Sequence, residues 1–201
     1  MKKKKNAKSK DYNLGLFGVY KKSFNYIYES RNYIYTLISL FILSGIIGFF
    51  FSENLTFLDK VLEDLVEKTL GMGDLELTIF IFFNNSFSSL YGLFFGIFLG
   101  IFPIIVSVMN GAVIGYVLQK VYLISGFSDF WRLLPHGIFE LPAVFISLGL
   151  GLKLGMFIFA ENSWNTLKER LRLSLLCFLL VVLPLLVVAA IIEGILIAIS
   201  A

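Results

Sequence analysis

Residues 78–123 read TIFIFFNNSFSSLYGLFFGIFLGIFPIIVSVMNGAVIGYVLQKVYL, and across this run the one charged residue is Lys120. About 20 helical residues cross a bilayer core of about 30 Å. The run is therefore too long for one crossing, and it must fold back near Pro103. Spans are expected at 78–102 and 107–124. The scarcity of polar residues around 103–107 leaves a re-entrant or broken-helix arrangement, buried in protein, as the alternative to a simple turn.

Working outward, Tyr33 to Phe51 contains no charge and forms a first span at 33–51. Downstream runs give spans at 136–160 and 173–199, the last kinked at Pro184. The fold class is all-α, a polytopic transmembrane helix bundle of about five spans. Composition agrees: 58% of the 201 residues are hydrophobic and 15% charged, with a mean hydropathy of +0.85. A soluble domain is excluded on that balance. The first ten residues hold six lysines and no apolar core, unlike a cleavable secretory signal.

Charge sets the expected orientation. Residues 1–32 carry nine Lys or Arg against two acids, whereas 52–77 carry seven acids against two lysines. Positive flanks stay inside, so the N-terminus is expected in the cytoplasm and 52–77 outside, at the cell membrane. Residues 1–32 form a basic arm whose lysines attract anionic lipid headgroups. Its Phe17, Tyr20, Phe24 and Ile27 recur at helical spacing, as in an interfacial amphipathic helix. Residues 33–201 form the membrane domain. Within it the acidic loop 52–77 carries its own apolar stripe, Leu58, Val61, Leu62, Leu65, Val66 and Leu70, and an Asn54-Leu55-Thr56 glycosylation triplet. Lys120, at the outer end of its span, is expected to snorkel outward.

Small residues mark where membrane helices touch. Ser88, Gly92, Gly96 and Gly100 recur every fourth residue in the second span, and Ala143, Ser147, Gly151 and Gly155 do nearly the same in the fourth. Gly111 and Gly115 give the third span a shorter version, and Gly45 and Gly48 give the first a weaker one. The two long stripes are expected to pack in parallel register. That would set Asn84 beside Glu140, four residues after His136, and gather Asn84, Asn85, His136, Glu140 and Glu193 in the outer half of the membrane. Asn110 is expected nearer the inner side.

Polar groups within spans are costly and usually mark a site or a latch. The cluster is either a set of mutual hydrogen bonds capping a helix or an ion or proton site. In the second case Glu140 supplies charge, His136 a titratable nitrogen and the asparagines carbonyl oxygens. Pro142 leaves two geometries for 135–142: a continuous helix, or a turn preceding a helix that starts at Pro142. A single histidine excludes the two-histidine zinc-protease pattern, and no phosphate-binding loop or serine elbow is present. No catalytic residue, metal site or cofactor is expected, and no nucleic-acid motif accompanies the lysines. Cys177 stands alone within an apolar run, as a packing residue without a disulfide partner.

Pro135-His136-Gly137-x-x-Glu140, with Phe80-x-x-x-Asn84 and Asn110-Gly111-x-x-x-Gly115 in order before it, resembles the signature of the stage II sporulation protein M family. The similarity runs from about residue 30 to the C-terminus. It implies a multi-span membrane protein. In spore-forming bacteria the family member acts with cell-wall-degrading partners during engulfment. The resemblance therefore points to a membrane scaffold or partner subunit in envelope or membrane remodelling, acting with membrane-protein partners or as a homo-oligomer. The alternative from the residues is a transporter of a small solute, ion or proton.

Overall fold

A computed structural model describes residues 15–200, excluding the side chains of Leu16, Asp129, residues 131–136 and Ser200. The lysines of the first ten residues, and their expected contact with lipid headgroups, lie outside the described residues. The described elements are helical, with no strand among them: α1 Leu16–Glu29, α2 Arg31–Phe50, α3 Phe57–Thr69, α4 Asp74–Phe94, α5 Ile101–Ser125, α6 Leu134–Gly155, α7 Ser163–Cys177 and α8 Leu183–Ser200. Five helical stretches are long and apolar enough to cross a membrane: Arg31–Phe50, Asp74–Ile97, Ile101–Ser128, Gly137–Phe159 and Ser163–Ile199.

Several boundaries differ from the sequence reading. The turn between α4 and α5 falls at 98–100, ahead of Pro103. Leu99 and Gly100 take left-handed backbone there (φ 58° and 70°) and let the chain reverse. Gly100 is thus a turn residue and not the end of a span. Pro103 sits in the first turn of α5, where its missing N–H would have had no helical partner, so 103–107 is helix and no re-entrant loop forms. Residues 135–142 are helical as well, with Pro142 inside α6.

Residues 161–172, which separate the expected spans 136–160 and 173–199, are mostly helix. A single helical path runs from Ser163 to Ile199, about 56 Å at 1.5 Å per residue, so it must extend well past a 30 Å core. A π turn, Phe178–Val182, joins α7 to α8 just before Pro184. An extra residue per turn relieves the clash that the proline ring would make with a preceding carbonyl.

Two parallel helix pairs carry the bundle. In one, α2 lies on α5: a Cβ on Gly115 would collide with the Gly45 carbonyl, one on Gly48 with the Ala112 carbonyl, and one on Gly111 with Phe41 and Ser44. The Ser107 hydroxyl donates to the Leu37 carbonyl across the same contact (2.8 Å). In the other, α4 lies on α6: Gly96 meets Gly151, Gly155 meets Gly96 and Gly100, and the Ser147 hydroxyl donates to the Ser89 carbonyl (2.8 Å). Close backbone approach and serine cross-bonds replace the hydrophobic drive that lipid removes. Ser88, expected in this seam, stays exposed, and Ser89 next to it takes the contact. Ala143 is fully buried. Helix α6 joins the pairs, packing on α2, α4, α5 and α8.

At one end α1 lies against α7, with Ser23, Tyr26 and Ser30 inward and Phe17, Phe24 and Tyr28 outward. Ile27 turns partly into the core instead of joining the exposed aromatic face. At the other end α3 packs down through Leu58 (1% exposed).

Candidate functional site

Between the two helix pairs α4 and α5 touch little, and the gap holds a cavity of about 160 Å³. Its polar wall is Asn84, Asn85, Ser88 and Ser89 from α4, Ser107 and Asn110 from α5, and Glu140 from α6. Its apolar wall includes Phe41, Val106, Ile114, Leu141, Val144, Phe145 and Leu148. Ser89 and Ser107 are buried at its floor, whereas Asn84, Ser88 and Asn110 are exposed at its rim.

The helix pairs explain this convergence. The α4–α6 seam runs in parallel register from Gly100 back to Ser89, so the preceding turn of α4 carries Asn84 and Asn85 toward the level of Glu140. Asn110 lines the same cavity, from a level nearer the turn that joins α4 to α5. Because α5 starts at Ile101, Asn110 lies about 14 Å along the helix from that end, and Glu140 about 22 Å from the same end of α6. Glu193 lies elsewhere: it is half-buried on α8, next to Gly194, which faces Thr78 of α4, and does not line this cavity. His136 occupies the first turn of α6, four helical residues before Glu140, and its side chain lies outside the described residues.

Two polar latches escaped the sequence reading. Asp59 of α3 accepts a hydrogen bond from the Tyr116 hydroxyl (2.6 Å) and pairs with Lys120 (3.4 Å). Lys120 therefore ends in a partner beyond simple snorkelling. The Tyr116 hydrogen bond, with Lys120 behind it, holds the Asp59 carboxyl below its usual range. At the opposite end, the Lys153 ammonium donates to the Ser30 hydroxyl (3.0 Å), lies 3.8 Å from Glu29 and sits 3.8 Å over the Tyr26 ring. Arg170 of α7 donates to the Lys153 carbonyl (2.5 Å). Burial pushes the Tyr26 hydroxyl up to about 12; it lies beside Ser174 without closing a hydrogen bond. A lone lysine in an apolar run was the available signal for each latch.

Among the described residues, no group of three or more His, Cys, Asp or Glu could hold a metal ion. Cys177 is buried, its thiol directed to the Ser23 carbonyl (3.4 Å).

Five apolar helices of crossing length, zipped by small residues around polar groups, define an integral membrane protein of the all-helical class. Within that class, the sequence pattern of the family described as stage II sporulation protein M matches residues 37–196, about four-fifths of the chain. The chain belongs to that family. Searches of curated proteins and of solved structures found no match.

Proposed function

We propose that this chain is a partner subunit in the cell membrane, a multi-pass scaffold that recruits another protein during envelope or membrane remodelling. The observation that supports it is α3. Leu58 and the Asp59 latch hold the start of this helix, while Val61, Leu65, Val66 and Leu70 remain exposed along its length. An apolar stripe on an amphipathic helix either enters the lipid interface or docks a protein. Acid dominates around this stripe: residues 52–77 carry five more acids than lysines. Anionic headgroups repel such a segment, which favours a protein partner with an apolar groove and a basic rim.

A photoreactive residue at Val66, on the full chain in its native membrane, tests this. The proposal expects one defined protein adduct that disappears with Leu65→Asp. Labelling of lipid alone sinks it. The orientation, N-terminus inside and α3 outside, belongs to the same proposal and rests on the charge asymmetry. A second reading, passage of a small polar solute or ion, is favoured by the cavity between α4 and α5.

A further inference from the structure

We infer that a groove between α2 and α6 holds one anionic phospholipid, with its phosphate on Arg31 and an acyl chain laid along the groove toward Ile138. The inference is independent of the partner proposed for α3 and concerns the opposite end of the bundle. Arg31 is the first residue of α2, so it stands where that crossing helix leaves the hydrocarbon core. Its side chain is exposed. Its Nη1 donates to the Tyr28 carbonyl (3.1 Å), and its guanidinium lies 4.2 Å over the Tyr28 ring. Those contacts bring no negative charge and leave most of its N–H donors open. No carboxylate among the described residues pairs with Arg31, and Glu29, nearby on α1, is 3.8 Å from Lys153.

The hollow that starts at this cation is the independent observation. Arg31, Ile34, Tyr35 and Ile38 fall on one face of α2 at helical spacing. Asn25 and Tyr28 of α1 join Arg31 and Ile34 around a first hollow. Ile34 and Ile38 then meet Phe145 and Ile138 of α6 around a second, of about 400 Å³. The two share Ile34 and form a single groove. Gly137 lines its far end with no side chain to fill it. A Cβ on Gly149 would strike Ile34, which fixes the level of α6 against α2. From that level to Ile138 the groove runs about 16 Å at about 1.5 Å per residue, close to half of a core of about 30 Å, the depth of one leaflet.

A cation at one end and apolar walls along the rest select an amphipathic occupant. A guanidinium takes phosphate through paired N–H donors, and Asn25 adds an amide beside it. Lys21, exposed one turn before Asn25 on α1, brings a second positive charge to the same face. A choline or ethanolamine headgroup would set its own ammonium against these two cations, whereas a glycerol headgroup has none. The anionic lipid is therefore preferred. Phe24, Tyr28 and Tyr35 stand exposed around the phosphate end, as aromatic side chains do at the headgroup level.

The test uses the full chain purified in detergent and native mass spectrometry, with phosphatidylglycerol and phosphatidylcholine of identical acyl chains as probes. One phosphatidylglycerol should be retained several-fold better than phosphatidylcholine. Glycerol 3-phosphate and diacylglycerol, which carry the phosphate and the chains separately, should displace it poorly. Arg31→Gln should lower phosphatidylglycerol affinity about tenfold, the usual loss when a charged hydrogen bond goes, and bring it to the level of phosphatidylcholine. Ile138→Trp, at a position 63% exposed, fills the groove away from the phosphate and should lower retention of both lipids. Leu123→Trp, 68% exposed and outside the groove, should change nothing. Equal retention of the two lipids by the native chain overturns the inference, as does undiminished phosphatidylglycerol retention in either Arg31→Gln or Ile138→Trp. Unfolding midpoints check that the variants fold; if one does not, the other decides. Displacement by glycerol 3-phosphate alone would make this a site for free phosphate and overturn the lipid. A protein adduct from a photoreactive residue at Ile138 in the native membrane would give the groove to a partner helix and overturn it too.

Discussion

Gly96 of α4 lies so close to Gly151 of α6 that a Cβ on Gly96 would overlap the Gly151 carbonyl and crowd its Cα at 2.6 Å. The obstacle is backbone, which does not swing aside as a side-chain tip does. Gly96→Leu should therefore push α4 off α6, at a cost at or above the usual overpacking range of about 1–3 kcal/mol. Phe98→Leu, at a position 64% exposed, should cost less than about 0.5 kcal/mol. Thermal unfolding of both variants in one detergent makes the comparison; equal midpoints would show that this seam does not hold the bundle.

Lys153 collects Ser30, Glu29 and the Tyr26 ring around its ammonium, and through its carbonyl it takes Arg170 of α7. Replacing it by methionine keeps the chain length and removes the charge. Helix α1 should then loosen from α6 and α7, with amide exchange across 19–30 faster by about tenfold or more, since hydrogen bonds to charged groups are worth about 1.5–3 kcal/mol. Unchanged exchange would mean that the Ser23 and Tyr26 contacts hold α1 without the ion.

Asp59 makes the docking of α3 dependent on acid. Its carboxyl is held below the usual range by Tyr116 and Lys120. A depressed carboxylate contributes stability above its unfolded pKa of about 3.9, and that contribution fades as pH falls through the lower folded value. Exchange of α3 amides should rise in strong acid in the native chain. With Asp59→Asn it should already be raised at neutral pH and respond less to acid.

Orientation follows from the charge asymmetry between 1–32 and 52–77. Cysteines introduced at Ser9 and Asp64 should differ toward an impermeant thiol reagent on intact cells, with position 64 reacting and position 9 protected until lysis. The native Cys177 is buried and should stay silent. Reaction at position 9 alone would invert the orientation.

Lengths of apolar runs and positions of small residues were legible in the sequence because both are local quantities. Charge-free stretches near 20 residues must cross a 30 Å core, and glycine every fourth residue marks a face whatever lies opposite it. The five crossings and the α4–α6 seam could be read on those terms.

What lay opposite each face was not local. Gly45 and Gly48 looked like a weak pair until α5 supplied Gly115 and Ala112 against them. Asn110 joined the cavity and Glu193 left it because α5 starts at Ile101 and α8 reaches Thr78 on another side of α4. Asp59 found Tyr116 and Lys120 from some sixty residues away. Among helices that are apolar all round, composition does not rank partners. Backbone fit, a few serine cross-bonds and two ion latches do, and those exist only once the chain has folded.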